Sequence, residues 1–174
     1  MAHNQYELLK QRRFLPFFLT QALGAFNDNV FRNAMLALMV YQMGLSTAQA
    51  TLYSNLAPAL FILPYFLFSA TAGQIAERYE KAKLIRFTTA LEIGIMSLAA
   101  FGFIYGSPWL LLFCLFLTGV QSTLFGPVKY AILPQVLAPE EMTGGNGLVE
   151  MGTSISILIG MIVGMSLLMI PGYG

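Results

Sequence analysis

Five ionisable side chains lie within or at the edges of long apolar stretches of this chain. They are Asp28, Arg32, Glu92, Lys129 and Glu150. A charge at the centre of a lipid bilayer costs at least about 2.5–3.5 kcal/mol on insertion scales, so such residues normally face a bundle interior or a watery cavity. Their placement therefore predicts a membrane protein with a polar route through it, along which a hydrophilic ligand or ion passes.

The densest polar group is in the first apolar stretch. Asn27, Asp28 and Asn29 follow one another, and Arg32 comes one helical turn after the aspartate. Because residues four apart share a helix face and lie about 6 Å apart along the axis, Asp28 and Arg32 can form an ion pair that lowers the cost of burial. The alternative is a binding site for a zwitterionic headgroup or a coupling cation. The two asparagines beside Asp28 favour the second interpretation, because packing alone does not require them.

The other three ionisable residues allow two interpretations each. Glu92 and Glu150 lie about two turns into the third and fifth apolar stretches. Each is either a structural partner of a cation on a neighbouring helix, for which Arg32 is one choice, or a group that takes part in ion coupling. Lys129 follows Pro127 near the end of the fourth stretch, where lysine side chains commonly extend to the membrane interface. It is therefore either an interfacial anchor or a binding residue.

Composition and the length of the apolar runs predict an all-α, polytopic membrane helix bundle. The chain is 57% hydrophobic and 10% charged, whereas soluble domains carry about 25% charged residues. Five stretches have about the 20 residues that a membrane-spanning helix needs: residues 14–43, 51–76, 84–105, 109–126 and 142–170. No interval shows the alternating pattern of an outer-membrane barrel, and helices satisfy every backbone group in lipid. Residues 1–13 are expected to form an N-terminal segment ahead of a transmembrane domain over 14–174.

The distribution of lysine and arginine predicts the orientation of the bundle. Basic residues precede the first span and surround the second loop, whereas the loops at 44–50 and 106–108 carry no charge. By the positive-inside rule the N-terminus is expected in the cytoplasm. An odd number of spans followed directly by Ile170-Pro-Gly-Tyr-Gly174 also predicts that the chain is part of a longer protein with at least one more helix.

A motif of mixed charge joins the second and third spans. Gly73 is followed by Glu77 and Arg78, and then by Lys81 and Lys83. The glycine is expected to permit a tight turn where the second span ends. Glu77 is expected to accept hydrogen bonds from a helix N-terminus, and the basic residues are expected to hold the loop at the anionic cytoplasmic leaflet. A loop that only sets the orientation needs the basic residues alone.

This motif resembles the loop between the second and third helices of the major facilitator superfamily, although Glu77 stands where the usual form has aspartate. Three further stretches are similar to the bacterial lysophospholipid transporter branch of that superfamily: Ala25-Phe-Asn-Asp-Asn29, Gly126-Pro-Val-Lys-Tyr-Ala-Ile-Leu-Pro134 and Asn146-Gly-Leu-Val-Glu150. The basic lead-in over residues 8–16 is similar to members whose transporter half is fused to acyltransferase and acyl-carrier-protein synthetase domains.

The resemblance implies an alternating-access transporter of two six-helix halves, of which this chain is the N-terminal half without its sixth helix. It implies that lysophospholipids move inward across the bacterial inner membrane, with Lys129 at the headgroup phosphate and Asp28 at its ammonium group. Arg32 and the flanking asparagines would complete that site, and the Gly73–Lys83 loop would latch the cytoplasmic side. The implied partners are the lysolipid, membrane lipids, the missing C-terminal half and the fused acylating domains.

Other function classes lack their characteristic residues. A net charge of +1 gives no footprint for nucleic acid. The only histidine is His3, and the chain has no phosphate-binding loop, hydrolase nucleophile elbow or Cys/His metal cluster. No enzymatic activity, cofactor or metal is therefore expected in this segment. Two alternatives stay open: a proton-coupled carrier of a small polar solute in which Glu92 and Glu150 titrate, and a membrane anchor module of a lipid-acylating enzyme.

Overall fold

The computed structural model describes residues 5–41 and 43–167, and these residues form helices joined by short connections. Residues 1–4, which include His3, residue 42 and residues 168–174 lie outside the described residues, and with them the end of the fifth predicted span. The helices are α1 (Leu15–Tyr41), α2 (Thr47–Arg78), α3 (Lys81–Ile104), α4 (Pro108–Ala131), α5 (Leu133–Val136) and α6 (Met142–Ser166). Short 3-10 helices precede α1 at Gln5–Lys10 and α6 at Pro139–Glu141. The prediction of an all-helical bundle is confirmed.

Four of the long helices in the described part of the chain are long and apolar enough to cross a membrane: α2, α3, α4 and α6 together with its preceding turn. The first helix is not among them, although its 27 residues exceed the length that a bilayer requires. The polar residues between Asn27 and Asn33 lower its hydropathy, and it packs along α6 while also contacting α2, α3 and α4. The chain is thus a multi-pass membrane protein whose first helix contacts the four other long helices.

The second helix begins earlier than the apolar run predicted. Ser46 caps it, because the Ser46 hydroxyl accepts a hydrogen bond from the Gln49 N–H at 3.3 Å and the Gln49 side chain accepts one from the Ser46 N–H at 3.1 Å. This reciprocal pair is a capping box. It starts the helix at Thr47, four residues before the span predicted over 51–76.

The predicted tight turn at Gly73 was wrong. Gly73 lies inside α2, which ends later, where Tyr79 adopts an extended backbone with φ −108° and ψ 158°. The left-handed conformation that favours glycine occurs instead at Gly44 (φ 60°) and Gly106 (φ 58°). Those two glycines form the turns ahead of α2 and α4, so the connection between α2 and α3 needs no glycine.

The fourth helix continues past Pro127, where the apolar run predicted its end, and extends to Ala131. A proline removes one backbone hydrogen bond. In lipid no water is present to bond the other backbone N–H and C=O groups, so they keep their helical hydrogen bonds and the helix continues through the proline. Because the helix extends to Ala131, Lys129 lies on the same helix face as Gln121 and Phe125, at intervals of four residues.

Small residues allow α6 to pack closely on α1. A Cβ atom at Gly160 would lie 2.7 Å from the Phe26 carbonyl oxygen, and one at Gly164 would lie 2.7 Å from the Val30 carbonyl oxygen. The two glycines are four residues apart, as in other close helix pairs in membranes. The close approach brings the polar segment of α1 against α6.

Two apolar clusters hold the two ends of the bundle. One joins the second half of α1 to the facing parts of α2, α3 and α4; its fully buried members include Met35, Met39, Ala57, Leu111 and Leu115. The other joins the start of α1 to the end of α4, α5 and the start of α6; its members include Phe14, Phe17, Leu133, Leu148 and Val149. The polar segment of α1 lies between these clusters.

Candidate functional site

A polar cavity of about 230 Å³ lies between the two apolar clusters, where α1, α2, α3, α4 and α6 meet. Its polar lining comprises Thr20, Gln21, Asp28, Tyr65, Thr89, Glu92, Gln121, Ser122, Lys129, Tyr130 and Thr153. A second cavity of about 270 Å³ shares Asp28 and Ser122 with the first and extends to Arg32. Together they make a polar tract through an otherwise apolar bundle.

Asp28 lies where the two cavities meet. Its Oδ2 atom accepts a hydrogen bond from the Ser122 hydroxyl at 3.0 Å. Its Oδ1 atom is buried and accepts no hydrogen bond from the described residues. A buried carboxylate oxygen without a donor is costly, and such exceptions are expected where a ligand or ion completes the site.

Asp28 and Arg32 do not form the ion pair that was the alternative to a binding site. The Arg32 guanidinium donates to Asn29 Oδ1 at 2.6 Å and lies over the Phe61 ring, 5.6 Å from its centroid. None of the three ion pairs among the described residues includes Arg32, so it is not the partner of either glutamate. An amide one turn away and an aromatic face hold this cation instead.

The two asparagines beside Asp28 have different partners. The Asn27 side chain donates to Glu92 Oε1 at 2.8 Å and so joins α1 to α3. The Asn29 side chain donates to the Ala25 carbonyl oxygen at 2.8 Å, and its oxygen is the one that holds Arg32. Asn29 lines the second cavity, whereas Asn27 lines neither cavity and contacts Glu92, which lines the first.

The Lys129 side chain lines the first cavity. It is 12% exposed, and Nζ donates to Thr153 Oγ1 at 3.0 Å and to Glu150 Oε1 at 3.2 Å. Gln21 is buried and accepts a hydrogen bond from the Thr153 hydroxyl at 2.8 Å. Of the two alternatives for Glu150, pairing with a cation on a neighbouring helix is therefore observed.

Several lining residues were missed by sequence reasoning. Gln121 and Ser122 form a polar pair in the apolar run of α4, two turns before Lys129, and that spacing could have been used to find them. Thr153 lies one turn after Glu150 on α6 and could have been found in the same way. Tyr65 follows a helical proline in a hydrophobic run, where nothing distinguishes it from a packing residue.

The predicted gating residues lie away from the cavity. They occupy the end of α2 and the start of α3: Gly73, Glu77, Arg78, Lys81 and Lys83. Lys83 pairs with Glu80 at 3.0 Å, and both side chains are largely exposed. None of the five lines either cavity.

The chemistry available in the site is recognition of charge. Within the described ranges, no group of three or more His, Cys, Asp and Glu side chains is arranged to hold a metal ion. Cys114 is buried in the first apolar cluster. The wall of the first cavity carries two carboxyl side chains, Asp28 and Glu92, and one ammonium group, Lys129.

Comparisons with known proteins show the family of this chain. The sequence profile of the Major Facilitator Superfamily matches residues 17–173. The chain is 30% identical over 156 residues to the lysophospholipid transporter LplT of Serratia proteamaculans, covering 90% of this chain and 36% of the relative. It is 32% identical over 163 residues to the lysophospholipid transporter LplT of Photorhabdus laumondii, covering 94% of this chain and 38% of the relative. The chain thus spans little more than a third of the length of these relatives. No solved structure matches it.

Proposed function

The chain belongs to the major facilitator superfamily, and we propose that it is the N-terminal part of a carrier that moves lysophospholipids across the bacterial inner membrane. The observation that carries the proposal is the polar cavity inside an apolar bundle, with Asp28 and Lys129 on its wall. The names of the similar proteins, which are transporters rather than enzymes, support the substrate class.

Asp28 and Lys129 complement the two charges of a phosphoethanolamine headgroup. The unpartnered Asp28 Oδ1 takes the ammonium group, and Lys129 takes the phosphate. Pockets for drug-sized ligands measure about 300–1,000 Å³. The cavity of about 230 Å³ is therefore of headgroup size, and the acyl chain lies along apolar surface outside it.

Transport proceeds by alternating access, in which the two halves of the carrier rock around a central site. The C-terminal half supplies the second wall of the cavity. The segment from Gly73 to Lys83 latches the cytoplasmic side in one of the two states, and its lysines contact the anionic leaflet. Inward movement delivers the lysolipid to the leaflet where it can be acylated again.

The N-terminus lies in the cytoplasm in this proposal, because the basic residues cluster before α1 and between α2 and α3. An N-terminal tag should accordingly resist protease added to intact spheroplasts. Cleavage of the tag in that experiment would contradict a cytoplasmic N-terminus.

Fused acyltransferase and acyl-carrier-protein synthetase domains belong to the same proposal. The gene sequence beyond the codon for Gly174 tests them.

A substrate screen tests the proposed function. The carrier reconstituted in proteoliposomes should move labelled lysophosphatidylethanolamine faster than protein-free liposomes do, and should ignore sugars and amino acids. Protein-free liposomes and liposomes with an unrelated facilitator carrier are the controls. Lysolipid movement no faster than in both controls would contradict the proposal.

A proton-coupled carrier of a small polar solute is the second candidate. The observation in its favour is that the carboxylates of Asp28 and Glu92 line the same cavity, as paired acids do in proton relays. Such a carrier should concentrate a solute when a proton gradient is imposed on the same proteoliposomes. Such a carrier should not transport lysolipid.

A further inference from the structure

One oxygen atom of Glu150 is held by two donors from consecutive residues of α4. Glu150 Oε1 accepts from Lys129 Nζ at 3.2 Å and from the Tyr130 hydroxyl at 2.9 Å. A cation and a neutral O–H that converge on one oxygen form a site for an anion, and charge-assisted hydrogen bonds of this kind bind carboxylate and phosphate oxygens alike. The carboxylate of α6 occupies that position in this structure.

The surrounding protein holds Lys129 more firmly than it holds Glu150. Lys129 is nearly buried, and the Thr153 hydroxyl, itself bonded to the buried Gln21, keeps it in place. The Glu150 side chain is 55% exposed, so fewer atoms of the described chain surround it than surround Lys129. Ion pairs with an exposed member are weak because solvent screens them and ordering the side chains costs entropy. The carboxylate is thus the partner that can be displaced.

We propose that Lys129 Nζ and the Tyr130 hydroxyl form the binding site for the phosphodiester of the lysolipid, and that Glu150 occupies this site in the empty carrier as an exchangeable counter-ion. The inference rests on the proposed function and adds two residue roles to it. Tyr130 becomes a phosphate-binding residue. Glu150 becomes a competitor of the substrate that keeps Lys129 neutralised until a headgroup arrives.

The exchange explains why a cation can remain in the bundle without substrate. An unpaired buried ammonium would be costly, and Glu150 removes that cost between transport cycles. The lysolipid phosphate then replaces one anion with another, so the charge around Lys129 is the same before and after binding. Competition at the phosphate is also independent of what the phosphate carries, whether ethanolamine or glycerol.

The test measures KM and Vmax for uptake into proteoliposomes with three variants of the whole carrier. Glu150→Gln keeps the shape and removes the charge, and we expect KM for lysophosphatidylethanolamine to fall by about two- to fivefold, the range that an exposed ion pair supplies. Tyr130→Phe removes one donor, and KM should rise by about two- to tenfold. Glu140→Gln is the matched control, because Glu140 is exposed and lines neither cavity that contains Asp28.

The same ratios should appear with lysophosphatidylglycerol, since both lipids share the phosphodiester. An unchanged or higher KM for Glu150→Gln, or a change in Vmax alone, would overturn the exchange. An unchanged KM for Tyr130→Phe would overturn its role in phosphate binding. If a variant inserts poorly, equilibrium binding of the lysolipid to purified protein replaces uptake, with the same expected ratios. Failure of the wild-type protein to move either lysolipid would instead overturn the proposed function and this inference together.

Discussion

At the scale of single side chains, Asp28 is the group whose surroundings most require a ligand. Ser122 satisfies one carboxylate oxygen, and no described residue donates to the other. The sequence located this aspartate through its flanking asparagines, but it suggested the wrong partner. Spacing along one helix identifies Arg32 as a possible neighbour, whereas the hydroxyl of Ser122 comes from α4 and cannot be inferred from spacing on α1.

Removal of that hydroxyl should weaken the contact between α1 and α4. Ser122→Ala leaves both Asp28 oxygens without a donor among the described residues, and we expect the free energy of unfolding to fall by about 0.5–2 kcal/mol, as for other interhelical hydrogen bonds in membranes. Unfolding of the purified protein in detergent measures the change. Ser154→Ala, at an exposed position of α6, is the control. Equal stability of the two variants would show that the bond contributes nothing.

At the scale of elements, the apolar runs predicted the five long helices but not where all of them end. The start of α2 depends on the capping box at Ser46, a local signal that hydropathy does not contain. The end of α4 depends on the lipid environment, which keeps a helix intact around Pro127 where an aqueous one would be weakened. That extension carries Lys129, which the sequence had already named as a candidate, to the cavity.

Close packing of α6 on α1 makes a prediction about glycine. In Gly160→Ala the new Cβ would lie 2.7 Å from the Phe26 carbonyl oxygen, so the helices must separate, and we expect a loss of about 1–3 kcal/mol of stability. Gly147→Ala, on the same helix with no atom within 4 Å of the new Cβ, should be neutral or stabilising by up to about 1 kcal/mol. Apparent melting temperatures in detergent compare the two. A Gly160→Ala protein as stable as Gly147→Ala would refute the close approach.

At the scale of the whole molecule, five long helices line a polar tract, and sequence reasoning identified only some of its residues. Asp28, Glu92 and Lys129 were selected because charge in lipid is costly, and all three line one cavity. Glu150 was selected on the same ground and lies at its edge, bonded to Lys129. Tyr65 also lines the cavity, but it follows a helical proline in an apolar run and is ordinary in its local sequence, so only the fold brings it to the site.

The most direct measurement is uptake of labelled lysophosphatidylethanolamine by the carrier with Asp28→Asn. The amide keeps the shape and can still accept from Ser122, but it removes the charge that pairs with the headgroup ammonium. We expect uptake to fall by about 10- to 100-fold, the loss that corresponds to a hydrogen bond to a charged group, with membrane insertion unchanged. Lysophosphatidylglycerol, which has no ammonium, should be affected less, and Glu140→Gln should transport both lipids normally. Undiminished uptake of lysophosphatidylethanolamine by Asp28→Asn would contradict the assignment of this cavity as the headgroup site.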